Sequence, residues 1–121
     1  METIHYGNAP LRPNPFNADV RVLFNRNDLD ILHLQLEPGK MLSKVTIATD
    51  AFFYVLEGNP EISVGNETKI ADTETLTFCA GGNAQCISNP TKTTVRVLTI
   101  KTLRHDIAPH FLMCVILKSV V

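Results

Sequence analysis

A chain of 121 residues, 45% hydrophobic and 19% charged, has the length and composition of one globular domain with a core of its own. Its formal net charge of −1, with eleven Lys and Arg scattered along the chain, gives no electrostatic reason to seek nucleic acid or an anionic membrane. Near-neutrality also weakens repulsion between copies and so favours self-association.

Residues 1–19 read as an extended arm, since three of the seven prolines (Pro10, Pro13 and Pro15) resist helix there. The arm lacks a basic stretch followed by an apolar run, so no secretion signal is expected and the cytoplasm is the expected compartment. The cysteines are Cys79, Cys86 and Cys114. An odd count without a CxxC pair argues against a disulfide framework and a ribbon-type zinc site. The C-terminal run FLMCVILKSVV is too short to span a bilayer.

From Val20 the pattern changes to short alternating runs. VRVLF (20–24) predicts a strand, followed by the turn-rich NRNDLD. ILHLQL (31–36) puts Leu32, Leu34 and Leu36 on one face and Ile31, His33 and Gln35 on the other. That phase places His33 at the surface or in an interface. Pro38-Gly39 predicts a tight turn. KVTIAT (44–49) and AFFYVLE (51–57) predict the next strands, broken at Gly58-Asn59-Pro60. EISV and ETKIA predict a hairpin about Gly65-Asn66. TLTFCA and AQCIS flank Gly81-Gly82-Asn83, where a hairpin would set Cys79 opposite Cys86. With no basic neighbour to activate a thiol, burial is the simpler role for both. TTVRVLTIKTL (93–103) predicts a long strand after Asn89-Pro90.

Short strands at roughly ten-residue spacing, closed by Gly, Pro or Asn, predict an all-β sandwich or barrel over residues 20–103. The tail, 104–121, reads either as a helix capped by Asp106 or as a β-branched strand, packing on the barrel or on a partner.

The stretches LEPGKMLS, FFYVLEGNPEISVG, TLTFCAGGNAQCISNP and TTVRVLTI, in that order and spacing, resemble a small single-domain cupin. The resemblance implies a jelly-roll of two antiparallel sheets, commonly dimeric, with a pocket at one mouth. Metal-binding members carry His-x-His and a Glu in the first motif and a further His in the second. Carried over, the His-x-His falls on Val45-Thr46-Ile47 and the Glu on Ala51 or Asp50. The last His falls on Ala84, or on Gln85 in the register set from Asn89. Aliphatic side chains donate no electron pair, so neither metal nor other cofactor is expected.

In the cupin register Val45, Ile47, Ala51 and Phe53 face inward, with Phe78 and Ala84 joining them as barrel lining. They are either the wall of an apolar small-ligand pocket or the filled core of a closed barrel. Phe52, Tyr54 and Leu56 face the other way and are also apolar, so both sides of that strand need cover. A second subunit is one source, and a homodimer is expected. His105 and His110 in the tail have a spacing that matches no helical face.

Two functions follow. The first is a metal-free barrel that binds a small molecule or acts as an interaction module. The alternative is a metal-independent enzyme of isomerase or epimerase type, moving a proton with Tyr54, Asp50 or a tail histidine at the mouth.

Overall fold

A computed structural model describes residues 1–102 apart from 27 and 47, and describes 43–46 as backbone alone. The tail, with His105, His110 and Cys114, lies outside the described residues.

Among the described residues there are nine strands: β1 (Asp19–Arg26), β2 (Leu29–Leu36), β3 (Met41–Thr46), β4 (Ala51–Glu57), β5 (Glu61–Val64), β6 (Glu67–Ile70), β7 (Leu76–Cys79), β8 (Ala84–Ser88) and β9 (Val95–Thr102). They form an antiparallel five-stranded sheet, β1-β2-β9-β4-β7, facing an antiparallel four-stranded sheet, β3-β8-β5-β6. This is the expected all-β jelly-roll.

Alternation decides which side chains meet between the sheets. Leu32, Leu34 and Leu36 of β2, Phe53 and Val55 of β4, and Val95 and Val97 of β9 are buried with Ile62 and Ile87 of the facing sheet. Each large aliphatic or aromatic side chain removed from water contributes about 1.5–3 kcal/mol. The opposite face of the five-stranded sheet carries two rows, half-buried except for the covered His33 and the exposed Leu76. Ile31, Ile100, Phe52 and Phe78 lie in register in one, and His33, Leu98, Tyr54 and Leu76 in the next.

The turns explain where the strands begin. Lys40 N–H donates to the Glu37 carbonyl at 3.0 Å, with Gly39 at a φ of 81°. This is the Pro-Gly turn expected there. Because it closes so tightly, the chain is extended again by Met41, which pairs with Ser88. The third strand therefore starts three residues before the stretch KVTIAT. Gly65, at a φ of 59°, and Asn66 close the β5–β6 hairpin with Val64 opposite Glu67.

The hairpin that would set Cys79 opposite Cys86 does not form across Gly81-Gly82, because β7 and β8 belong to different sheets. Cys79 pairs with Ala51 and Cys86 with Ser63, so the two thiols are not cross-strand neighbours. Gly81 makes the crossing. A Cβ on it would lie 2.3 Å from the Ala48 carbonyl oxygen, and its N–H donates to Asp50 Oδ1 at 2.8 Å.

The arm folds back on the barrel. Leu11 bridges Arg21, Arg12 N–H donates to the Val20 carbonyl at 2.7 Å, and Val22 N–H donates to that of Pro10 at 2.9 Å. It buries His33, which is 2% exposed rather than at the surface. Tyr6 stacks on the imidazole at 4.4 Å between ring centroids, and Arg96 Nε donates to Nε2 at 3.1 Å.

Candidate functional site

A cavity of about 240 Å³ lies between the sheets, at the end nearest residues 12–16 of the arm. Its walls are largely apolar, with Leu32 and Leu34 of β2, Phe53 of β4, Leu42 of β3 and Ile87 of β8. The arm forms its rim through Arg12, Asn14 and Phe16.

The rim is held by one asparagine. Asn14 Oδ1 accepts the N–H groups of Phe16 at 3.1 Å and Ala18 at 3.0 Å, while Nδ2 donates to the Ala18 carbonyl at 2.8 Å. With Asn17 at a φ of 53°, these bonds tie residues 14–18 into a closed loop that sets Phe16 against the opening.

Three polar side chains enter the apolar walls. Gln85 comes from β8, and Thr99 and Lys101 come from β9. Gln85 is 4% and Thr99 2% exposed. Neither the amide oxygen and nitrogen of Gln85 nor the hydroxyl of Thr99 has a hydrogen-bond partner among the described residues. An unpaired buried polar group costs roughly 1–3 kcal/mol, so these side chains are the points at which the cavity offers hydrogen bonds.

Lys101 lies directly across from Asp30 in the β2–β9 register. The Asp30 carboxylate is already engaged. Arg12 donates to both its oxygens, at 3.0 and 3.3 Å, and Asn25 Nδ2 donates to Oδ1 at 3.2 Å. Among the described residues Lys101 has no salt bridge. Burial pushes its ammonium below the usual lysine value, Asp30 opposes the shift, and Arg12 adds to it.

The sequence-derived lining residues are dispersed. Phe53 lines the cavity. Ala51 is fully buried, paired between Cys79 and Lys101. Ala84 is not among the cavity residues, because burial along β8 alternates with Gln85 and Ile87 inward. The inward position is thus the one given by the register set from Asn89. Phe78 packs on Phe52 at 5.2 Å between centroids and borders a separate open cleft between β6 and β7. Val45 is described by backbone alone, opposite Gln85, and Ile47 lies outside the described residues. Thr99 and Lys101 carried a sequence signal: in VRVLTIKT the inward phase runs Val95, Val97, Thr99, Lys101, a buried face turning polar at one end.

No protein-family model and no curated protein matches the chain. Its architecture does match solved structures. A predicted oxalate decarboxylase of Thermotoga maritima superposes with a TM-score of 0.77 at 15% identity, over 85% of this chain and 100% of that one. An RmlC-like cupin from Shewanella frigidimarina gives 0.75 at 11% identity, over 88% and 94%. The polyketide cyclase RemF of Streptomyces resistomycificus gives 0.75 at 15%, over 86% and 80%. The chain therefore has the cupin fold, a double-stranded β-helix of two antiparallel sheets. Likeness at these identities is one of architecture.

The residues at the coordinating stations of metal-binding cupins do not suit a metal. Ala51 offers no donor, the inward Gln85 offers only a neutral amide oxygen, and Asp50 accepts the Gly81 N–H. Among the described residues no three His, Cys, Asp or Glu side chains gather to hold an ion. No described helix is long and apolar enough to cross a membrane.

Proposed function

We propose that this chain is a metal-independent small-molecule binding module built on the cupin fold. The observation that carries this reading is the apolar cavity into which Gln85 and Thr99 bring side chains that have no partner among the described residues. Cavities that stay dry are apolar throughout, and polar groups aimed into one call for a polar occupant. A binding role is also supported by where two of the three proton-transfer candidates stand, the tail histidines lying outside the described residues. Tyr54 lies on the outer face of the five-stranded sheet, and Asp50 is engaged by Gly81. Neither lines the cavity.

Self-association belongs to the same reading: Ile31, Ile100, Phe52 and Phe78, half-buried in register on the outer face, suit a second copy of the chain, and sedimentation of the purified protein would show whether it is a dimer.

The test of binding uses indole as a neutral probe, followed through the backbone amide resonances. Saturable shifts are expected at Phe53, Gln85 and Thr99. Leu34→Trp, which fills the cavity with a larger ring at a cost of about 1–3 kcal/mol, should abolish them while leaving the folded spectrum. Indole that leaves those amides unmoved would defeat the binding role.

A further inference from the structure

The three polar groups in the cavity differ in charge, and this sets what they can receive. Asp30, the nearest carboxylate in register, has both oxygens committed to Arg12 and one also to Asn25. The Lys101 ammonium beside it forms no salt bridge among the described residues. Arg12, Asp30 and Lys101 together leave one positive charge at this end of the cavity, in a wall otherwise built of Leu, Ile and Phe side chains. A cation partly withdrawn from water is stabilised best by an anion that also accepts hydrogen bonds. Gln85 Nε2 and the Thr99 hydroxyl are donors in the same cavity, without partners among the described residues.

One uncommitted cation with two neutral donors fits a monoanion with two acceptor oxygens. A phosphate dianion would need a second uncommitted cation, and Arg12 is already bound in both its forks. Size gives a second limit. Since an apolar cavity of roughly 150 Å³ admits benzene, the space here holds about ten non-hydrogen atoms.

Resting on the binding role above, we propose that the occupant is an amphipathic monocarboxylate. Its carboxylate sits at Lys101, Gln85 and Thr99, and its apolar body lies against Phe53, Leu34 and Ile87 beneath the Phe16 rim.

The experiment compares three probes of one shape on the full chain at neutral pH: 3-phenylpropanoate, 3-phenylpropanamide and 3-phenylpropylamine. Dissociation constants come from calorimetry, and the site is read from the amide resonances of Gln85, Thr99 and Lys101. The acid should bind about tenfold more tightly than the amide, an extra 1.4 kcal/mol or so from the charge-assisted contact. The amine should bind most weakly. In Lys101→Met the acid should fall to the level of the amide, and the amide should be unchanged.

Equal binding of acid and amide in the wild type, with shifts at these three residues, would overturn the carboxylate assignment and leave the binding role standing. Tighter binding of the amine would overturn it more directly. Saturable indole binding with no binding of any phenylpropyl probe would also overturn the ligand class. Because the acid and amide are compared on the unaltered protein, the proposal can fail even where Lys101→Met does not fold.

Discussion

His33 shows how much one side chain's chemistry depends on what covers it. Its Nε2 accepts from Arg96, which requires a neutral imidazole with the proton on Nδ1, and Nδ1 is buried without a partner among the described residues. Burial first, then the Arg96 charge, push its pKa below the ordinary 6.5; Arg21 adds to the shift and Asp19 opposes it. Protonation is therefore easier in the unfolded chain. The contribution to stability is complete above 6.5 and is lost as pH falls from there toward the lower folded value. Relative to His33→Phe, which keeps the ring against Tyr6 and does not titrate, the wild type should lose denaturant stability between pH 7 and pH 5. Parallel curves for the two proteins would contradict this. The strand phase of His33 was legible in ILHLQL, yet its burial was not, because the cover comes from Tyr6, far away in sequence. Gln85 teaches the complementary lesson. Its inward phase followed once Asn89 set the register, but its missing partners are visible only when the facing sheet is in place.

Among the elements, the turns carry most of the specification and are also the most exposed to substitution. Asn89 is 1% exposed, and every polar atom of its side chain is used. Nδ2 donates to the Leu36 carbonyl at 2.8 Å and to that of Thr93 at 2.7 Å, while Oδ1 accepts the Thr91 N–H at 3.0 Å. It thus ties the end of β2 to the β8–β9 connection. Asn89→Ala should lower unfolding free energy by about 3 kcal/mol, since it strands buried carbonyls as well as removing bonds. A loss under about 1 kcal/mol in urea melts would show that water replaces the amide. Gly81→Ala should cost on the order of 2–3 kcal/mol, because the added methyl meets the Ala48 backbone and no rotamer relieves it. Strand positions were legible where a run ends in Pro, Gly or Asn, as at Pro38-Gly39, Gly58, Gly65-Asn66, Gly81 and Asn89-Pro90. The path of the chain at Gly81-Gly82 was not legible, for a physical reason. Two glycines between extended runs encode a sharp change of direction, and only tertiary contact with Ala48 and Asp50 decides whether the chain returns along its own sheet or crosses to the other.

For the molecule as a whole, the cavity belongs to no single motif. It needs β2, β4 and β9 on one side, β3 and β8 on the other, and the arm across its end. This is why the candidate lining scatters between core, outer face and cavity, although the barrel itself was evident. The order of the larger sheet has a further consequence. β9, the ninth of the described strands, lies between β2 and β4, so the pairs β1–β2 and β4–β7 are hydrogen-bonded into one sheet only through it. A chain emerging from the ribosome holds two unjoined halves until residue 102 is out, their inner edges bare. The keystone of this arch comes last among the described strands, and whatever guards those edges during synthesis matters more here than in a sheet assembled in the order of translation.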